Sequence, residues 1–171
     1  MARLNAITIL AVAVLAAPLY AQTAKPVGGP KTNTLAVGGD VPTPLTITPA
    51  ELKTYPRTTV KVTEDDRTST YEGVSLGDIL NRAGAPVGAK LRGNNVASYI
   101  TCIANDGYQV VFSLAEVDPG FTSNEFIVAD TIDGKPLFDY QGPFRIVAPH
   151  DKAGARSIRM LERIDLVRLR K

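Results

Sequence analysis

Near its carboxyl end the chain sets Lys152, Gly154, Arg156, Ser157 and Arg159 within eight residues, with His150 two places ahead. Guanidinium, ammonium, hydroxyl and free backbone N–H groups on one loop form the donor set for an anion. Arg offers bidentate, charge-assisted hydrogen bonds, and irregular backbone can turn successive N–H groups toward a ligand. The same composition also describes a solvated basic loop, because charge runs ordinarily face water. Spacing alone leaves both readings open. His150, after Pro149 and before Asp151, reads as an exposed loop residue, with a place beside a bound anion as the alternative.

Other reactive side chains have plainer explanations. Cys102 sits in Tyr99-Ile100-Thr101-Cys102-Ile103, where alternation makes it a small buried hydrophobe. A Cys102/His150 nucleophile pair would need contact and a third group to orient the imidazole. With one cysteine and one histidine, neither an intramolecular disulfide nor a structural Cys/His zinc site can be built, so stability must come from packing. Glu64-Asp65-Asp66 lacks the spaced oxygens of a calcium loop and reads as a hairpin tip. Asp106 and Asp133 precede glycines and are explained by turn chemistry.

The elements that must position the basic loop start with Phe144 to Val147, a short apolar run between Pro143 and Pro149, the pattern of a buried strand bounded by breakers. Upstream, Thr34–Val37 and Pro42–Thr48 predict two strands around Gly38-Gly39-Asp40. Thr48, Pro49 and Glu51 form a Thr-x-x-Glu start for a short helix that Pro56 ends. Arg57–Thr63 and a strand ending near Tyr71 predict a hairpin. Ser75 is placed to cap a helix whose Leu76, Ile79, Leu80 and Ala83 share one face, with Gly84 as its stop. Ala97–Ala104 and Tyr108–Ser113 flank the turn Asn105-Asp106-Gly107. Ser113 to Glu116 signals one helical turn, Phe126–Ala129 a strand, and Arg163–Leu169 an edge-like final strand. The sum is an α+β domain of mainly antiparallel sheet with short helices.

Arg3 precedes an apolar run from Ala6 to Ala17, and Leu19-Tyr20-Ala21 ends on a small residue, which predicts a secretory signal peptide over 1–21. The run is too short to span a bilayer comfortably, since a span needs about 20 apolar residues. Cleavage would leave 150 of the 171 residues, with a Pro-, Gly- and Thr-rich leader over 22–33 and one domain over 34–171. A periplasmic or secreted location is expected, with no membrane association after cleavage. His150 to Lys171 carries seven Lys/Arg against three Asp/Glu, a net of +4, whereas Gln22 to Pro149 carries eleven against fourteen, a net of −3. The basic end suits an anionic small molecule. Nucleic acid is not expected, because no aromatic residues interleave the basic ones.

The order of motifs is more specific than any one of them. Tyr71-Glu72-Gly73-Val74-Ser75-Leu76-Gly77-Asp78-Ile79-Leu80 with Ala83-Gly84, then Asn105-Asp106-Gly107-Tyr108, Ser113-Leu114-x-Glu116, Asp133-Gly134-Lys135-Pro136-Leu137, Gly142-Pro143-Phe144-Arg145-Ile146-Val147-Ala148-Pro149 and Gly154-Ala155-Arg156-Ser157-Ile158-Arg159 succeed one another. This series resembles the oxidoreductase molybdopterin-binding domain of the sulfite-oxidase family over roughly residues 40 to 170. The resemblance implies a sulfite-oxidase-like fold and, at Lys152, Gly154, Arg156, Ser157 and Arg159, a segment that holds the phosphate of a molybdenum–pterin cofactor. It also implies a departure. Catalytic members ligate molybdenum through a cysteine shortly before the segment matching Tyr71 to Val74, and Val60 to Arg67 contains none. Three readings result: an exported domain that binds a pterin or another anionic small molecule, a structural or protein-interaction domain that has lost the cofactor, and a molybdenum-dependent oxidoreductase or its subunit.

Overall fold

A computed structural model describes residues 33–169. The expected signal peptide, the leader up to residue 32 and the last two residues lie outside the described part. Among the described residues no helix is long and apolar enough to cross a membrane.

Ten strands form two sheets among the described residues. The first contains β1 (Leu35–Gly39), β2 (Leu45–Ile47), β5 (Ser98–Ala104), β6 (Gln109–Ser113) and β10 (Leu161–Arg168), in the order β2-β1-β10-β5-β6. The second runs β3 (Thr58–Glu64), β4 (Arg67–Ser75), β7 (Ile127–Ile132) and β8 (Lys135–Pro136), and β9 (Arg145–Val147) also pairs with β7. Two short helices, α1 (Pro49–Leu52) and α2 (Leu76–Arg82), accompany them. This is the expected α+β fold of mainly antiparallel sheet. One pairing is parallel, β1 with β10.

Local chemistry explains most boundaries. Thr48 Oγ1 accepts the Glu51 N–H at 3.1 Å and starts α1. The Glu51 carboxylate, however, accepts from the Tyr55 hydroxyl instead of closing a capping box. Ser113 and Glu116 do form the reciprocal pair, Ser113 Oγ accepting from Glu116 N and Glu116 Oε2 accepting from Ser113 N. Asp65 and Asp66 both adopt positive φ, so the β3–β4 hairpin turns through two residues, a conformation that short Asp side chains tolerate. The acidic tip is thereby explained as turn geometry.

Several sequence expectations are corrected. The final strand is not an edge. Leu161–Arg168 lies at the centre of its sheet, between β1 and β5, because Leu161, Ile164 and Leu166 face the core while its backbone is paired on both sides. The strand expected to end near Tyr71 continues to Ser75, so Ser75 begins α2 without any side-chain cap. The strand expected over Phe126–Ala129 runs instead from Ile127 to Ile132, and Pro42–Thr48 contributes only Leu45–Ile47.

The main core lies between the sheets. Leu35, Ile100, Phe112 and Ile164 meet Leu76, Ile79 and Leu80 of α2 and Val74, Val128 and Ile146 of the second sheet. A smaller cluster, Val60, Tyr71, Ile127, Ala129 and Val147, covers the other face of that second sheet. The alternation of β9 therefore divides its three side chains between the two faces: Ile146 enters the main core, while Arg145 and Val147 face the opposite way.

Candidate functional site

The edge of β7 is shared by two short strands. Residues 127–129 pair with β9 and residues 131–132 pair with β8, and the chain between them leaves the sheet as a loop over 137–144. Tight turns shape that loop, with the N–H groups of Gln141 and Gly142 both bonded to the Phe138 carbonyl. The loop, the tip of the β3–β4 hairpin and the basic segment after Pro149 enclose one cleft. It has two contiguous lobes of about 370 and 460 Å³, which share Val62, Glu64, Asp65, Arg145 and Arg159. That size suits a small molecule.

Arg145 forms the floor. Only 3% of its surface is exposed, and Nη1 donates to the Tyr71 hydroxyl at 2.9 Å and to Gln141 Oε1 at 2.6 Å. The guanidinium carbon stands 4.9 Å from the centre of the Tyr71 ring. No carboxylate pairs with it among the described residues, and its Nε has no hydrogen-bond partner there. Desolvation accordingly pulls its pKa below the ordinary value, with the like charge of Arg159 adding to the effect. The Glu64 carboxylate at the cleft offsets part of this without bonding to the guanidinium, and a bound anion would offset more.

The basic segment contributes unequally. Lys152, Gly154, Ser157 and Arg159 line the same lobe as Arg145. Ser157 is buried and its Oγ accepts the Ala148 N–H at 3.1 Å, which staples the loop to the end of β9 and leaves the hydroxyl proton to donate. The loop comes close to the hairpin tip at Gly154, where a Cβ would stand 2.9 Å from Glu64 Oε1, the far end of a flexible side chain. Arg156 does not face the cleft. Its Nε and Nη2 each bond Asp151 at 2.8 Å, Nη1 bonds Glu116, and the group stacks 4.9 Å from the Phe112 ring centre. These bonds, chiefly those from Asp151, hold its pKa above the ordinary value. It is a strut tying the loop to the body, and three of its guanidinium nitrogens are engaged by Asp151 and Glu116, not by the cleft. His150 is exposed, as the loop reading expects, and lies between Pro149 and Asp151, which line the cleft, without lining it itself.

Sequence reasoning misses Arg145, Gln141 and Tyr71 as site residues. The one signal for Arg145 is a charge placed within an otherwise apolar run between two prolines, and its meaning depends on which way β9 alternates. Cys102 is fully buried in the first sheet, and burial pushes its thiol pKa up.

A family model described as the oxidoreductase molybdopterin binding domain matches residues 66–170. Curated proteins give no match. Among solved structures, the sulfane dehydrogenase SoxCD from Paracoccus pantotrophus aligns with a TM-score of 0.63 at 19% identity, over 80% of this chain and 38% of that one. At that identity the likeness shows the fold, and the chain spans well under half the length of that relative.

The cofactor of such domains can be tested against the cleft by its two ends. Arg145, Arg159, Lys152 and Ser157 suit a phosphate. The hairpin tip offers Val62, Thr63, Glu64 and Asp65, which include oxygen donors but no thiolate, and Cys102 lies buried elsewhere. The residues fit the anionic end and do not fit a soft metal centre held by sulfur.

Proposed function

The chain belongs to the oxidoreductase molybdopterin binding domain family, and from that premise we propose that it is an exported protein binding an anionic small molecule, a phosphate ester of pterin type or similar, in the cleft above Arg145. The single observation that supports this most is the buried guanidinium of Arg145, a residue that lines the cleft, makes no hydrogen bond to a carboxylate among the described residues and carries a buried, unpartnered Nε. Arg159 and Lys152 would screen the rest of the ligand charge from the exposed side, and Ser157 would donate its hydroxyl proton. The role of Arg156 is to hold the loop in place. Export rests on the signal-peptide pattern over 1–21.

Calorimetric titration with pyrophosphate tests the reading. The wild type should bind it, Arg159→Ala should weaken binding about tenfold or more through loss of a charge-assisted contact, and Arg156→Ala should not change the stoichiometry. Absence of pyrophosphate binding by a folded wild type would contradict the proposal.

A further inference from the structure

Each sheet has two edges among the described residues, and three of the four are closed to further pairing. β2 is only three residues long, with Pro42, Pro44 and Pro49 beside it. β3 carries the exposed Lys61 at its middle. On the other side of the second sheet, β8 is two residues long and ends on Pro136, and β9 is covered, its Ile146 N–H bonded to the Ile158 carbonyl. Short length, lysine, proline and cover are the means by which an edge is kept from adding a strand of another chain. β6 shows none of them. Gln109–Ser113 has neither charge nor proline, and its register against β5 runs without a shift. Ala104 N–H donates to the Tyr108 carbonyl and Leu114 N–H to the Ser98 carbonyl, so the even-numbered positions turn their main chain toward β5. Gln109, Val111 and Ser113 therefore turn theirs outward. The Gln109 and Val111 N–H groups have no partner among the described residues, that of Ser113 meets Glu116 Oε2 at a long 3.4 Å, and Val111 is 54% exposed.

We propose that two copies of this chain pair edge to edge through β6, antiparallel about Val111, so that their first sheets run on as one. An uncharged edge can be its own complement. Turned about a twofold axis through Val111, a second β6 sets Val111 opposite Val111 and Gln109 opposite Ser113, with outward N–H and carbonyl groups of one facing those of the other. Amide then meets hydroxyl, and no like charges oppose within the strand. Beyond its ends the same register brings Asp106 toward Glu116 of the second copy, whose charge Arg156 already neutralises. The −3 and +4 of its two parts leave the chain after residue 21 at +1, too little to hold copies apart. A five-residue ladder is smaller than a standard interface of about 1,200–2,000 Å², so the dimer should be weak, with a Kd of about 10–100 μM.

Sedimentation velocity of the chain from residue 22 onward, over about 1–300 μM, should show one copy passing to two. Val111→Lys puts a charge at the centre of the edge on an exposed position, so it should stay folded and remain a single copy throughout, while Thr59→Lys on the β3 edge should pair as the wild type does. Val111→Cys tests the register separately. Directly opposed residues of a hydrogen-bonded antiparallel pair stand about 5.5 Å apart at Cα, within disulfide reach, so oxidation with diamide should yield a covalent dimer that Thr59→Cys does not. A wild type that stays single across the range would overturn the proposal. So would a dimer that Val111→Lys leaves intact, or a Val111→Cys chain that gives no more covalent dimer than Thr59→Cys.

Discussion

Arg145 is buried with two neutral hydrogen-bond partners and no carboxylate bond among the described residues, and that is the basis for assigning it to a ligand. Replacing it with methionine of similar length removes a buried charge at the cost of partners for the Tyr71 hydroxyl and Gln141 Oε1. Swaps of buried ionic groups for apolar ones are often neutral or stabilising by about 1–4 kcal/mol. Arg145→Met should therefore keep or raise the ligand-free melting temperature while abolishing the rise that phosphate gives the wild type. A large loss of stability without phosphate would instead make Arg145 a structural pillar. Cys102 gives a second prediction at this scale. Burial raises its thiol pKa, so the native chain holds a proton that the unfolded chain sheds above about pH 8.5, and stability should fall as pH rises beyond that value. Native protein should resist thiol reagents until denaturant exposes the residue, and rapid native labelling would contradict the assignment. The burial of Cys102 is legible from its alternating neighbours. The importance of Arg145 is not, because a side chain in a three-residue strand can face either way until its pairing with β7 is known.

At the scale of elements, the backbone ladders of the second sheet are reinforced by a side-chain bridge from Arg57, just ahead of β3, to β4 and β7. Arg57 Nε donates to Glu72 Oε1 at 2.9 Å, and its Nη atoms donate to both oxygens of Asp130 at 2.6 and 3.2 Å. The Asp130 side chain is almost wholly buried, so Arg57→Ala leaves a charge stranded. Urea denaturation should show a loss of about 3 kcal/mol, and a change below about 0.5 kcal/mol would mean that water replaces the guanidinium. Gly73 sits where the β4–β7 register shifts, and a Cβ there would approach the Val128 carbonyl oxygen to 2.1 Å. Gly73→Ala should therefore open that ladder and cost at least about 2 kcal/mol in the same measurement. Elements with strong local codes are readable in advance: α2 from its apolar stripe, the 105–107 turn from Asp-Gly, and the Ser113–Glu116 turn from its capping pair. The extent of β4 is not, since Glu72 to Ser75 are extended by partners more than fifty residues away in β7.

For the whole molecule, the closing of the first sheet by β10 explains why the last strand looks like an edge in the sequence alone. Its alternating Ile164, Leu166 and flanking arginines suggest a half-solvated strand, yet β1 covers one side in parallel and β5 the other in antiparallel register. Parallel pairing between the two ends of a domain leaves no local trace. The same long-range closure delivers the basic segment after Pro149 against the tip of a hairpin some ninety residues earlier, so the cleft exists only in the assembled fold. Ile164→Asp should consequently prevent folding of both sheets together, seen as loss of a cooperative urea transition; a transition retained with small change would show that the sheets fold independently. The proposed binding depends on a buried guanidinium meeting an anion in that cleft. The most direct measurement is the arginine side-chain Nε–H resonance of Arg145 by NMR during titration with inorganic phosphate. A saturable downfield shift of that resonance, assigned by its disappearance in Arg145→Met, is predicted. A resonance that stays fixed while phosphate perturbs only exposed lysines and arginines would contradict it.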